Sequence, residues 1–122
     1  MSMAKIHAVR RRSTRALRQR RAALRRHRAL PPQAIRASVV ERFGTCGKPG
    51  CACHAGARHG PYYYLTQCVA VGHMRKFLLK GPRALDTART AVSAFNTFYD
   101  GVEELSQINA ELLRRGDPLP GE

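Results

Sequence analysis

One cysteine-rich stretch is the most informative part of this sequence. It reads Cys46-Gly47-Lys48-Pro49-Gly50-Cys51-Ala52-Cys53, and two histidines, His54 and His59, follow it closely. Thiolates and imidazoles suit the borderline softness of zinc, which structural sites hold with four tetrahedral protein ligands. The glycines within the stretch let the backbone curl so that the sulfur atoms converge. We therefore predict a structural Zn²⁺ site, with no open position at which water would be activated.

Spacing indicates the fourth ligand. His54 directly follows Cys53 and would need a sharp bend to reach the same ion, whereas His59 lies beyond a flexible Ala55-Gly56-Ala57 segment and can fold back. The predicted ligand set is Cys46, Cys51, Cys53 and His59. Four alternatives remain open: Cys68 or His54 in place of His59, an iron–sulfur cluster on all four cysteines, and three free thiols.

Strand patterns flank the cysteines on both sides. Residues 37–45 and 62–71 are rich in β-branched and aromatic side chains, and 74–80 returns after a turn at Gly72-His73. Two strands alone are marginal, so we predict a three-stranded antiparallel sheet whose loop is stabilised by zinc. The predicted class is α+β.

A long helix follows the sheet. After Gly81-Pro82, apolar residues recur in steps of three and four from Leu85 to Leu112, and Arg114-Arg115-Gly116 is typical of a helix end. The pattern allows one helix over 82–115 or a helical hairpin broken at Asp100-Gly101. A small sheet cannot cover so long an apolar stripe, which favours a homodimer through this helix or a folded-back hairpin.

Charge divides the chain. Residues 1–80 carry 18 lysines and arginines and a single acid, Glu41, whereas residues 81–122 carry four basic and seven acidic residues. We predict a basic arm at 1–32, a zinc-binding domain at 33–116 and a tail at 117–122. Ser13 or Thr14 would cap a helix from Arg15 to about Leu30, but mutual repulsion predicts that the arm stays disordered until it meets phosphates.

Composition disfavours several classes. No apolar run is long enough to cross a membrane and no secretory signal begins the chain, so we expect a reducing cytoplasm, where clustered cysteines more often bind metal than form disulfides. Acids are scarce in the basic half and no phosphate-binding glycine loop occurs, so we do not expect an enzyme. A net charge of +14 instead favours a polyanion such as nucleic acid.

The cysteine stretch and the run His59-Gly60-Pro61-Tyr62-Tyr63-Tyr64-Leu65-Thr66 resemble a family of short bacterial proteins known as a domain of unknown function. Its pattern is C-G-K-x-x-C-x-C followed by H-G-P-Y-Y-Y-L-S. The resemblance covers about residues 38–112 and leaves the arm outside. It implies the same four ligands and a mobile-element setting beside transposase or recombinase genes. Gly72-His73 departs from the Gly-Lys that the family has at this turn.

The predicted function is that of a nucleic-acid-binding accessory protein of a bacterial mobile element, associated with the nucleoid and binding DNA in preference to RNA. The alternative is an interaction module that docks a transposase or recombinase through the C-terminal helix. Of the three successive tyrosines, we expect two to pack in the core. Fourteen basic residues are predicted to contact nucleic acid: Arg10, Arg11, Arg12, Arg15, Arg18, Arg20, Arg21, Arg25, Arg26, Arg28, Lys48, Arg58, Arg75 and Lys76.

Overall fold

The computed structural model describes residues 2–26 and 30–121 and confirms the α+β class. Two helices come first, followed by three strands and a long helix. In chain order the elements are α1 (Met3–Arg11), α2 (Thr14–Arg26), β1 (Ser38–Gly44), β2 (His59–Ala70), β3 (His73–Leu78) and α3 (Gly81–Arg114).

The strands form the predicted antiparallel sheet in the order β1-β2-β3. Leu65 in the central strand lies opposite Val39 on one side and Phe77 on the other. The central strand begins three residues earlier than the sequence predicted, at His59, so this predicted zinc ligand is itself the first residue of β2.

Helix α3 is continuous over 34 residues, about 50 Å at 1.5 Å per residue, so Asp100-Gly101 does not divide it. It ends where the sequence predicted. Gly116 adopts a left-handed φ of 79°, which brings the N–H of Asp117 to 2.9 Å from the carbonyl oxygen of Leu112. This glycine cap satisfies carbonyl groups that the last turn leaves without helical partners.

The chain forms two compact units, and α3 contributes to both. The helical unit consists of Met1–Pro32 and Asn96–Glu122, and the sheet unit consists of Gln33–Phe95. Each unit has its own means of stabilisation.

The helical unit corrects the expectation of a disordered arm. Val9 and Leu17 from the N-terminal helices are buried with Ile108 and Leu112 of α3, and Leu24 packs against this cluster. Burial of these side chains, together with ion pairs to acids near the end of the chain, offsets the repulsion that predicted disorder. The same contacts cover the later part of the α3 stripe within the chain.

Helix α2 begins at Thr14, one residue before the predicted start, and Ser13 is its cap, one of the two predicted candidates. The side chain of Ser13 accepts a hydrogen bond from the N–H of Ala16 at 3.1 Å, which is the geometry of an N-terminal cap. The helix is described as far as Arg26, and residues 27–29, over which it was predicted to continue, lie outside the described residues.

The sheet unit places α3 against one face of the sheet. Arg89 of α3 lies 5.3 Å from the ring centre of Tyr63, and the N–H of Ile35 donates to the carbonyl oxygen of Ala91 at 3.1 Å. Because side chains alternate along a strand, Tyr63 and Leu65 share this helix face. Tyr62 and Tyr64 lie on the opposite face, which we call the open face. Only Tyr63 therefore points toward the helix. The sequence had predicted that two of the three tyrosines would pack in the core, so this prediction was wrong.

No helix within the described residues is long and apolar enough to cross a membrane.

Candidate metal centre and basic surface

The cysteine loop connects β1 to β2 by a compact path. The N–H of Cys51 donates to the carbonyl oxygen of Lys48 at 3.3 Å, and the N–H of His54 donates to that of Cys51 at 3.1 Å. A short 3-10 turn, Ala52–Ala55, follows and leaves Cys53 only 3% exposed. These local hydrogen bonds fix the backbone that carries Cys51 and Cys53 just before the start of β2.

The structure brings all four predicted ligands together. The ligand atoms of Cys46, Cys51, Cys53 and His59 lie within 4.8 Å of one another. The Sγ atoms of Cys46 and Cys53 are 3.6 Å apart, and Sγ of Cys51 is 3.4 Å from Nε2 of His59. A tetrahedral zinc ion with bonds of about 2.3 Å to sulfur and 2.0–2.1 Å to nitrogen requires separations of about 3.8 Å and 3.6 Å. The cluster therefore needs only small adjustments to hold a metal ion.

The alternative ligands are not brought into this cluster, as far as the described residues show. His54 follows Cys53 into the 3-10 turn but does not join the group of ligand atoms. Cys68 is exposed on β2, where its thiol donates to the carbonyl oxygen of Ala70 at 3.2 Å. This placement excludes a four-cysteine cluster in the described conformation.

The electrostatics of the cluster favour a bound cation. The N–H of Cys53 contributes most to lowering the pKa of Cys51 to about 6, and the neighbouring thiols and His59 add to the effect. The pKa of Cys46 is also lowered, chiefly by the backbone at Lys48 and then by His59. The two cysteines Cys46 and Cys51 raise the pKa of His59 in turn. Thiolates form readily here, and thiolates are the species that ligate metal.

The N–H of Cys46 further supports the centre by donating to Sγ of Cys53 at 3.3 Å. Such hydrogen bonds orient a ligating thiolate and tune its charge. Three sulfur atoms and one imidazole could supply the four ligands of a tetrahedral metal ion, and such an ion would stabilise the loop that carries them.

The predicted basic residues divide between the two units. Those up to Arg26 lie on the helices of the helical unit or between them, and Arg28 lies outside the described residues. Lys48 and Arg58 are exposed in the cysteine loop. In β3, Arg75 lies over the ring of Phe77 at 5.4 Å and Lys76 over that of Tyr64 at 4.3 Å.

Sequence reasoning gave no surface role to Arg42 and no contact partner to Arg115, which it placed only at the end of the long helix. Arg42 lies directly opposite Tyr62 in the sheet. Arg115 reaches from the end of α3 to Thr14 and to the backbone at Arg10 and Arg12. Alternation along β1 would have indicated the first, but the second depends on a contact between the two ends of the chain.

A family model described as Domain of unknown function (DUF6788) matches residues 7–71, just over half of the chain. The chain belongs to this family. The DUF6788 match contains all four clustered ligands, the whole of α2 and most of α1. No curated protein and no solved structure matches the chain.

The extent of the DUF6788 match corrects the extent of the predicted resemblance. That resemblance began at residue 38 and left the basic arm outside, whereas the match begins at residue 7 and ends at residue 71. The basic helices and the metal-binding loop thus belong to one family domain.

Proposed function

We propose that this DUF6788 protein is a zinc-binding module that attaches to nucleic acid through the arginines of its N-terminal helices. The observation that carries the proposal is that these arginines fall into two groups with different contacts. Some bind to acidic or polar groups of the helical unit itself, and others are exposed and form no ion pair with a carboxylate of the described residues.

The first group holds α2 against the C-terminal part of the chain. Arg20 pairs with Glu104 through two hydrogen bonds of 2.7 and 2.9 Å, and Arg18 pairs with Asp117. Bidentate contacts of this kind fix orientation as well as charge. We propose that these arginines anchor the helix and are not available to phosphates.

The second group consists of Arg15, Arg25 and Arg26. All three are exposed, and none forms an ion pair with a carboxylate of the described residues. At 100° per residue, Arg15 and Arg26 lie on the side of α2 opposite Leu17 and Leu24. Neither α1 nor α2 carries an acid, and the two acids that pair with α2, Glu104 and Asp117, bind Arg20 and Arg18 rather than Arg15 or Arg26, so this side of the helix attracts an anionic ligand.

Zinc is the proposed ion because three thiolates and one imidazole select it over the harder divalent cations. The sheet unit supports a structural role, since its buried apolar residues are few and only Leu65 among them is large. They are Cys53, Leu65, Ala88 and Ala91. So small a core gains its stability from a bound metal. We propose no catalytic activity for the centre.

The deciding experiment compares three charge-removing substitutions with a matched control. R15Q/R25Q/R26Q removes the exposed group, and R36Q/K80Q/R83Q removes three exposed charges of the sheet unit. Binding to a fluorescent DNA duplex is measured by anisotropy between 50 and 200 mM salt. The slope of log K against log salt is negative, and its magnitude decreases by about 0.9 for each phosphate that the variant no longer neutralises.

We expect the first variant to bind at least about tenfold more weakly at low salt and to have a shallower slope by about two to three. The control variant should stay close to the unchanged protein. Equal weakening in both variants would show that net charge alone drives binding and would reject the proposed surface. Absence of any salt-dependent binding to DNA or RNA would reject the function.

The setting in a bacterial mobile element, with a transposase or recombinase as partner, rests on the resemblance alone and is part of the proposal. Docking through α3 would have to use residues other than Ile108 and Leu112, because both are fully buried. Copurification from the native host with and without nuclease tests the proposed contact with a protein partner. A partner retained after nuclease supports a direct protein contact, and release of the partner supports nucleic acid as the link.

A further inference from the structure

We infer that the open face of the sheet stacks the bases of single-stranded nucleic acid on Tyr62 and Tyr64. This inference rests on the proposed function and deepens it by naming the class of nucleic acid. It also gives the sheet unit a task distinct from that of the basic helices, which contact phosphates without regard to bases.

The two rings form a row along the central strand. Tyr62 and Tyr64 are two residues apart on β2, so their Cβ atoms are about 6.6 Å apart on the same face. Tyr62 is 44% exposed. Aromatic side chains presented by a sheet bind unpaired bases because every base has a π-face to stack. Consecutive bases of an extended strand can lie over such a row.

A cation lies on each side of this row. Arg42 of β1 lies directly opposite Tyr62, and Lys76 of β3 lies 4.3 Å from the ring centre of Tyr64. A cation–π contact at an exposed site is weak, so a base can displace the Lys76 ammonium, which then reaches a neighbouring phosphate. Arg42 and Lys76 can therefore neutralise phosphates of a bound strand on both sides of the aromatic row.

The open face carries no acid on any of the three strands. Glu41, the single acid of β1 to β3, lies opposite Tyr63 and so on the helix face. Exposed apolar side chains extend the open face, with Met74 61% and Leu78 39% exposed. A surface with cations, phenol rings and apolar side chains but no acid is complementary to a strand of bases and phosphates. It would repel a second copy of this basic chain.

The metal centre positions the aromatic row. His59 is a candidate ligand and the first residue of β2, three residues before Tyr62. Fixing this end of the strand sets the orientation of the rings before ligand arrives, which reduces the entropy lost on binding.

The test separates bases from phosphates. A fluorescent twelve-nucleotide dT strand and a strand of the same length with abasic sites throughout carry the same charge, but only the first has bases. The full chain with its metal is titrated with each, and the ratio of the two affinities measures stacking. We expect the dT strand to bind about 10–100-fold more tightly.

Two double variants assign this ratio to the rings. Y62L/Y64L keeps apolar volume and removes the rings, whereas Y62F/Y64F keeps the rings and removes the hydroxyls. We expect the leucine variant to lose the preference for dT and the phenylalanine variant to retain it. Affinity for a duplex and the salt dependence should be unchanged in both, because stacking releases no counterions. Metal content and melting temperature verify folding.

Equal affinity of the unchanged protein for the two strands would overturn the inference, and so would a preference that survives in the leucine variant. A leucine variant that changes only the oligomeric state would overturn it in favour of an interface between copies. Should that variant fail to fold, photocrosslinking of an iodouracil strand to the unchanged protein decides: adducts on Tyr62 or Tyr64 support the inference, and adducts elsewhere overturn it. Duplex binding through the helical unit, measured separately, shows whether the proposed function still stands.

Discussion

Arg115 forms an ion pair with Glu111 one turn earlier on α3, with 3.0 Å between Nε and Oε1. The same guanidinium donates to Oγ1 of Thr14 at 3.0 Å and to the carbonyl oxygens of Arg10 and Arg12 at 3.1 and 2.9 Å. It therefore joins the end of α3 to the junction between α1 and α2. Glu111 is only 6% exposed, so the charge that orients Arg115 is buried.

This pair makes the stability of the helical unit depend on pH. Hydrogen bonds from Arg114 and then Arg115 lower the pKa of Glu111 to about 2, against about 4.3 in an unfolded chain. Its contribution is complete above the unfolded value and is lost as pH falls from there through about 2. We expect E111Q to lower the melting temperature at pH 7, and the difference from the unchanged protein to vanish near pH 2.

The control is D86N, which removes an exposed carboxylate from the first part of α3. Its melting temperature should remain near that of the unchanged protein at every pH. Circular dichroism at 222 nm follows both variants. A constant difference between E111Q and the unchanged protein from pH 7 to pH 2 would show that Glu111 acts through packing and not through its charge.

The sequence predicted local features and missed contacts between distant segments. Cysteine spacing indicated the ligand group, and β-branched and aromatic residues indicated the strands, because both signals lie within a few residues. Leu17 and Ile108 are far apart in sequence, and a helix pattern does not state its partner. The orientation of the tyrosines likewise depended on which face of the sheet α3 covers. The prediction that the basic segment is disordered was wrong because it took account of the repulsion among arginines but not of the burial of Leu17 against Ile108.

Metal removal should unfold one unit and spare the other. We expect about one zinc ion per chain, and expect C51S/C53S or a chelator to abolish hydrogen-exchange protection over residues 44–70. Protection around Leu17 and Ile108 should persist, because that cluster belongs to the helical unit. Metal analysis and peptide-resolved exchange measure the two effects.

H54A and C68S are the matched controls for the ligand set, since neither residue joins the cluster. Both should retain the full metal content. Loss of the ion from C68S alone would mean that Cys68 replaces one of the four ligands.

Gly60→Ala tests the backbone beside the metal. Gly60 has φ 134°, and an added Cβ would approach Cδ1 of Phe43 to 2.8 Å and the carbonyl oxygen of Arg42 to 2.9 Å. Since both the conformation and the space exclude a methyl group, we expect a loss of about 1–3 kcal/mol in the free energy of unfolding and weaker metal retention. Thermal melting and competition with a chelator provide the measurements.

Gly101→Ala should have the opposite effect. Gly101 lies inside α3, and a Cβ there meets nothing within 4 Å. Alanine is about 0.8–1.0 kcal/mol more favourable than glycine within a helix, so we expect a gain of that size. A loss of stability measured by urea unfolding would indicate that α3 is not a continuous helix through this position.

Leu17→Ala decides whether the basic segment is a folded part of the protein. Leu17 is fully buried among residues of α1 and α3, so its truncation leaves a cavity and should cost about 2–5 kcal/mol. Leu30→Ala is the control, because Leu30 is 75% exposed and its truncation should change stability by less than about 0.5 kcal/mol. Urea unfolding followed by circular dichroism compares them, with exchange protection over 44–70 expected to remain in both. Equal stability of the two variants would mean that the helices do not pack on α3 and that the repulsion among the arginines prevails over burial.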